Sequence, residues 1–234
     1  MRLLEKLRNK NFIIVCSQNF FVKKIKLKNF FFITNKNKLN LKYINKIKPK
    51  IIFFPYWHWK VPQEIFDNFL CIGFHTSPLP YGRGGSPIQN QILLSKKKST
   101  ICAIKYNKII DGGNIYLKKK ISLSGSANEI FERIFNQILI MINQLIKKLP
   151  NEKKQKGKVT KFKRRTPDQS EIKDIKNISK LFDFIRMLDL DFKNFPKSFI
   201  FHERYKIEFS KVKFLNKENL VCQALISKRK FFNK

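Results

Sequence analysis

Gly73-Phe-His-Thr-Ser-Pro-Leu-Pro-Tyr-Gly-Arg-Gly-Gly-Ser-Pro-Ile-Gln89 is the stretch on which the reading of the fold turns. An apolar run, Phe69 to Phe74, leads into it, and a helix-forming segment from Pro87 to Leu94 follows. Between them, prolines fix the backbone and glycines release it, around one histidine and one arginine. A buried strand that breaks into a Gly/Pro-rich loop before a helix is where α/β proteins place their sites.

Outward from this loop the chain alternates. Upstream, Asn11 to Cys16, Phe30 to Thr34 and Pro49 to Pro55 are short β-rich apolar runs that read as strands, and Leu70 to Phe74 reads as a fourth. Leu39 to Ile47 and Val61 to Phe69 have helical spacing, the second with Pro62 in its first turn. Downstream, Thr100 to Ile110 reads as a strand, Asp111-Gly-Gly-Asn114 as a turn, and Ile115 to Leu117 as extended chain. Ala127 to Leu149 is the longest helix, with Ile130, Phe131, Ile134, Ile138, Met141, Ile142 and Leu145 on a helical period and Ser124 or Ser126 as its cap. Strands alternating with helices predict an α/β fold with a mostly parallel sheet.

Pro150 to Lys158 is polar, charged and flexible in composition, which places a boundary there. The expected domains are 1–152 and a small α+β unit, 153–234. The latter has a helix around Ile178 to Leu188 and strand-like runs at Ser198 to Phe201, Lys206 to Val212 and Val221 to Ile226.

The net charge of +34 invites a polyanion-binding reading. Lys, Asn, Ile and Phe are over-used in every segment alike, however, which suits an AT-rich coding sequence better than a selected binding face. Cys16, Cys71, Cys102 and Cys222 are far apart, lie in apolar runs and form no C-x-x-C, so buried thiols in a reducing cytoplasm are expected, with no metal site. No apolar run reaches the roughly 18 residues that span a bilayer. Met1 to Cys16 is basic and then apolar, but the apolar core Phe12 to Cys16 is too short for a leader, so a helix turn and a strand are expected.

Three histidines bear on chemistry. His202 lies in a strand-like run without a nucleophile beside it, and His58 sits in the aromatic cluster Tyr56-Trp-His-Trp59, where packing is the simpler reading and a cofactor contact the alternative. His75 ends a buried strand against a loop able to hold a ligand. Arg83-Gly-Gly-Ser-Pro could hold an anion at the following helix. Asp111 is a turn residue on its own, and an imidazole-orienting carboxylate if it folds back beside His75.

These residues resemble the folate-dependent formyltransferases. That family has a strand-ending Asn-x-His, a Ser-Leu-Leu-Pro-like segment, an Arg-Gly pair, Pro-x-Gln opening a helix, and a downstream Asp-x-Gly element. Here His75-Thr-Ser-Pro-Leu-Pro, Arg83-Gly84, Pro87-Ile-Gln89 and Asp111-Gly-Gly-Asn-Ile115 stand in the same order, Asp111 lying 36 positions after His75 (111 − 75). The resemblance covers roughly Pro49 to Leu149. Further on, Arg164-Arg-Thr-Pro-Asp-Gln-Ser170, Ile185-Arg-Met-Leu-Asp189 and Phe195-Pro-Lys-Ser-Phe199 resemble the stretch that follows the catalytic domain in bacterial enzymes formylating UDP-4-amino-4-deoxy-L-arabinose. One position departs: where the family has Asn, this chain has Gly73. Its amide would donate to a developing oxyanion, so His75 acts alone, or Thr76, Asn90 or His58 replaces it.

The resemblance implies a Rossmann-like domain with a small strand-rich appendage, and transfer of a formyl group from 10-formyltetrahydrofolate to the amine of a nucleotide-linked amino sugar, without a metal. His75 and Asp111 would be catalytic. Tyr56, Trp57, His58, Trp59 and Lys60 would line the folate cleft, and Thr76, Ser77, Tyr81, Arg83 and Gly84 would meet the substrate. Methionyl-tRNA is the alternative acceptor, which the positive charge favours and the short C-terminal unit disfavours. A second copy of the chain is an admitted partner. A scaffold-retaining binder without catalysis is the reading from a different class.

Overall fold

The computed structural model of the chain describes residues 11–17, 30–191 and 196–229. Residues 1–10, where a first helix turn was expected, and Phe195 of the last motif lie outside them. The chain divides into two compact units.

The first unit, Met1–Arg83, Thr100–Lys119 and Phe135–Thr160, carries the parallel strands. β1 (Phe12–Val15), β2 (Phe30–Ile33), β3 (Ile51–Phe54) and β4 (Cys71–His75) pair parallel in the order β2-β1-β3-β4. All four residues of β1 and of β3 are buried, as strands covered on both faces must be, which is why they read as unbroken apolar runs rather than alternating ones. Each such fully buried Ile, Val or Phe contributes roughly 1.5–3 kcal/mol.

Between these strands lie α1 (Leu41–Ile47) and α2 (Gln63–Asn68). Asn40 caps α1 by accepting from the Tyr43 N–H at 2.9 Å. Ile44, Ile47 and Ile65 from these helices join Ile13, Val15, Ile52 and Phe54 in one core cluster. The sheet is completed by β6 (Lys98–Lys105) and β7 (Ile115–Ser122), in the full order β2-β1-β3-β4-β6-β7. β6 runs antiparallel to β4, with His75 opposite Cys102. The expected strand Thr100–Ile110 stops at Lys105, because the Tyr106 N–H still donates to Cys71 O at 2.9 Å but the chain then turns, Gly112 donating to Ile109 O at 3.0 Å.

The order places β1 between β2 and β3, so the chain leaves β1 toward one edge and returns on its other side. Open α/β sheets form their ligand crevice at such a switch point, beyond the carboxyl ends of the strands. Phe54 lies opposite Gly73 in the β3–β4 register, so the segments following β3 and β4 emerge side by side at that edge.

The second unit, Gly84–Ser99, Lys120–Ile134 and Lys161–Lys234, holds α3 (Pro87–Leu93), α5 (Ile178–Arg186) and an antiparallel sheet β11-β10-β9. Its strands are β9 (Ser198–His202), β10 (Tyr205–Phe214) and β11 (Leu220–Lys228). The short β5 (Arg83–Gly84) and β8 (Lys161–Phe162) pair as a separate ladder. The long helix α4 (Ala127–Lys147) buries Ile130, Ile134, Ile138, Met141, Ile142 and Leu145 along one stripe. Its start is a reciprocal cap: the Ser126 N–H donates to Glu129 Oε2 at 2.7 Å and the Glu129 N–H donates to Ser126 Oγ at 3.3 Å. Those bonds to Ser126 hold the Glu129 carboxyl below its usual range.

Cys16, Cys71 and Cys102 are buried and Cys222 is half-buried, all as free thiols. Among the described residues no cluster of His, Cys, Asp and Glu could hold a metal ion, and no helix is long and apolar enough to cross a membrane.

Candidate active site

β4 delivers His75 to the sheet edge with 7% of its surface exposed. The loop that follows is tightly braced. Ser77 Oγ donates to Tyr81 O, the Leu79 N–H donates to Ser77 O at 2.8 Å, and Lys118 Nζ donates to Leu79 O at 3.2 Å. Leu79 is fully buried with Cys102, Ile104 and Ile115. The Gly82 N–H donates to Thr160 Oγ1 at 2.7 Å, and the Gly82 carbonyl turns inward to accept from His75 Nε2 at 2.8 Å.

The other imidazole nitrogen meets the turn after β6. His75 Nδ1 and Asp111 Oδ2 stand 3.4 Å apart. Asp111 sits at φ 51°, a left-handed conformation that Asp tolerates better than most residues. Two residues on, a Cβ at Gly113 would lie 1.6 Å from Lys105 O, so only glycine lets this segment pass against β6 and bring Asp111 back to the histidine.

A third element completes the brace. Gln155 lies in the lysine-rich stretch whose composition suggested a flexible connection. Instead, Ile115 and Lys153 bridge each other, and Gln155 Nε2 donates to Asp111 O at 2.7 Å and to Gly113 O at 2.8 Å. Its Oε1 accepts from Arg83 Nε at 3.2 Å and Nη2 at 2.7 Å. Nothing in the local sequence marks Gln155; a lone glutamine among lysines carries no periodicity.

The aromatic cluster follows β3. Tyr56, at φ 52°, turns the chain, and its carbonyl accepts from the Ser17 N–H at 3.3 Å. Ser17 Oγ also contacts His58 Nδ1. Trp57 and Trp59 meet edge to face at 4.8 Å. Trp59 is 45% exposed, and the buried Trp57 Nε1–H has no acceptor among the described residues. The exposed indole of Trp59 is a side chain on which a flat heteroaromatic ligand could stack. Lys60 is exposed.

The five residues expected at the substrate divide. Thr76, Tyr81 and Arg83 are half-buried. Ser77 is fully buried with its hydroxyl spent on the loop, and Gly84 lies in β5, where a Cβ would press on Phe162 O at 2.4 Å. His202 is exposed on β9. A separate cavity of about 700 Å³ lies within the second unit, lined among others by Phe182, Arg186, Asp189 and Phe214.

The chain thus forms an open α/β sheet with a His–Asp pair beyond its parallel strands, and comparison with known proteins says which such proteins it is similar to. The family model for the methionyl-tRNA formyltransferase C-terminal domain matches residues 167–227. A solved methionyl-tRNA formyltransferase from Clostridium thermocellum is 39% identical, with 94% of this chain and 100% of that chain covered and a TM-score of 0.87. The methionyl-tRNA formyltransferase of Malacoplasma penetrans (strain HF-2) is 28% identical over 137 residues, 55% of this chain and 43% of that protein. The chain thus spans less than half the length of the curated relatives it matches first. A 4-N formyltransferase from Francisella tularensis, 15% identical with 95% and 99% of the two chains covered and a TM-score of 0.61, shares the fold. The chain belongs to the formyltransferase family.

Proposed function

We propose that this chain transfers a formyl group from 10-formyltetrahydrofolate to an amine, and that the amine belongs to the aminoacyl end of methionyl-tRNA. One observation carries the choice of acceptor: the 39% identity, over the whole of its length, to the Clostridium thermocellum methionyl-tRNA formyltransferase. The amino-sugar acceptor expected from Arg164–Ser170 and the later motifs has less behind it, because a solved sugar N-formyltransferase from Shewanella sp FDAARGOS_354 is only 16% identical. The net charge of +34 suits a polyanionic partner as well.

The chain's own groups fit the chemistry. Trp57 and Trp59 would hold the folate ring, and the bound folate supplies the formyl carbon. Asp111, 3.4 Å from His75 Nδ1, fixes the imidazole and takes the proton that the attacking amine must lose, directly or through water. His75 donates toward the carbonyl oxygen as it gains charge. Its Nε2 now donates to Gly82 O, so that bond must open or be shared when a carbonyl arrives. Gln155 keeps the Asp111 turn and Arg83 in register.

The test is an acceptor panel. Purified protein and 10-formyltetrahydrofolate are incubated with methionyl-tRNA, or with UDP-, GDP- or dTDP-linked amino sugars. Formyl-methionyl-tRNA is the expected product, and its formation should weaken steeply with salt. Formylation of an amino sugar with none of the tRNA would sink the acceptor assignment; no formylated product at all would sink the enzyme reading.

A further inference from the structure

We infer that Tyr106 supplies the oxyanion donor that Gly73 lacks, making it a catalytic residue in the reaction proposed above, on which this inference rests. A Cβ built on Gly73 would lie 2.8 Å from Tyr106 Cε2 and 3.3 Å from Cζ, the carbon bearing the hydroxyl. The phenol end of Tyr106 therefore fills the volume that a side chain at position 73 would enter. Gly73 lies two residues before His75 on the same strand, so both point to the same face of the sheet. The tyrosine's ring edge occupies this place from the neighbouring strand's end, with the hydroxyl carried on the ring carbon 3.3 Å from the built Cβ.

Packing fixes the ring. Its centroid lies 4.8 Å from Phe54 and 6.4 Å from Phe66, and its main-chain N–H donates to Cys71 O. Burial, reinforced by the charge of Asp111, pushes the phenol well above its ordinary pKa, so it remains a neutral donor throughout the physiological range.

Two of the alternatives, Asn90 and His58, are committed elsewhere. Asn90 Nδ2 lies 3.0 Å from Gly85 O and Ser86 O and 3.1 Å from Lys163 O, and His58 Nδ1 contacts Ser17 Oγ. Both His75 nitrogens face protein acceptors, so the oxyanion that His75 meets by sharing its bond to Gly82 O gains from a second donor.

In the transfer, the amine nitrogen bonds to the formyl carbon while the C=O π pair moves onto oxygen. Tyr106 donates a hydrogen bond to that oxygen. The pair returns as the carbon–N10 bond breaks, N10 keeps the bonding electrons and takes a proton, and the amine gives up one. Tyr106 keeps its own proton throughout.

Tyr106→Phe keeps the ring and removes the hydroxyl. With methionyl-tRNA as acceptor, kcat should fall by about 10²–10³ with the melting temperature nearly unchanged. A second readout needs no turnover: the infrared C=O stretch of 10-formyl-5,8-dideazafolate, carrying ¹³C in its formyl group and bound without acceptor. The wild type should lower that frequency, and Tyr106→Phe should raise it back toward the free value. Gly73→Asn alone should be damaging, because its side chain meets the Tyr106 ring. Added to Tyr106→Ala, it should recover about tenfold in kcat over Tyr106→Ala alone.

An unchanged C=O stretch in Tyr106→Phe overturns the inference, as does a kcat within about threefold of wild type. A wild type that formylates no acceptor but lowers the stretch through Tyr106 defeats the acceptor assignment and leaves Tyr106 as the donor. A wild type that binds no formyl-folate analogue overturns both.

Discussion

Gln155 Nε2 lies 2.7 Å from the carbonyl oxygen of Asp111 and donates to it. With the bonds to Gly113 O and from Arg83, the amide uses both its N–H groups and its oxygen. A residue beyond the long helix α4 thus holds the turn that carries Asp111 and the loop that carries Arg83.

Gln155→Leu keeps the size and removes every one of those bonds. Two carbonyls and a guanidinium lose their partner, a change worth about 1–3 kcal/mol of stability. If Gln155 positions Asp111, kcat should fall by about tenfold, and KM for the folate much less. Gln155→Glu should be no better, since it sets a carboxylate oxygen against the carbonyls of Asp111 and Gly113. Urea denaturation and steady-state kinetics check both; a Gln155→Glu protein with wild-type kcat would show that the amide holds nothing of consequence.

Asp111→Asn separates charge from geometry. Asparagine tolerates the left-handed φ of 51°, so the turn closed by the Gly112 N–H should survive and the melting temperature should stay near that of the wild type. Formyl transfer should fall at least about 10²-fold, and His75→Ala should fall similarly. Because the two act as a pair, the double variant should lose little more than either single one. Full additivity of the two losses would mean that the 3.4 Å contact is not a working pair.

How much of this was legible in the chain depends on the kind of signal. Fully buried strands such as Ile13-Ile-Val15 and Ile51-Ile-Phe-Phe54 announce themselves because two covered faces demand an unbroken apolar run. The stripe of α4 is equally plain. Direction is not written in a single strand, so β6 gave no sign that it would run against β4. His75 and Asp111 could be paired because loop chemistry and spacing coincide. Gln155 could not: its stretch has the composition of a solvated connection, and its role arises from where Lys153 bridges Ile115. Tyr106 was hidden differently. An aromatic at a strand's end reads as core, and it gains meaning only from the missing side chain at Gly73.

In the second unit, Arg186 is the residue whose loss should cost most. It is 4% exposed, and its Nε and Nη2 lie 2.7 and 2.6 Å from Asp183 Oδ1. Its Nη1 donates to Leu123 O and Gly125 O, both at 2.7 Å, which ties α5 to the chain entering α4. Arg186→Ala leaves the buried Asp183 carboxylate facing Lys97 Nζ at 4.0 Å and leaves two carbonyls without their donor, and should cost about 3 kcal/mol. Arg186→Lys should recover little, because an ammonium cannot span these acceptors in the fork geometry of a guanidinium. Chemical denaturation of each variant measures this; a loss under about 1 kcal/mol for Arg186→Ala would mean that the network is structurally idle.

Alkaline pH offers a test with a definite sign. Burial pushes the phenols of Tyr56 and Tyr106 well above their ordinary value, and burial together with Glu152 raises Tyr116 to about 12. In the unfolded chain these groups ionise near pH ~10. Above that pH the unfolded state has released protons that the folded state still holds, so their contribution to stability is complete below it and is lost as the pH climbs toward the folded values. The lysines work in the opposite sense, since losing part of the +34 charge in the same window relieves self-repulsion. The tyrosine contribution is therefore read as a difference. Melting temperatures of the wild type and of a Tyr106→Phe, Tyr116→Phe variant are followed from about pH 8 to about pH 11. The wild type should lose stability relative to the variant above pH ~10, and parallel curves would show that neither phenol is held neutral by the fold.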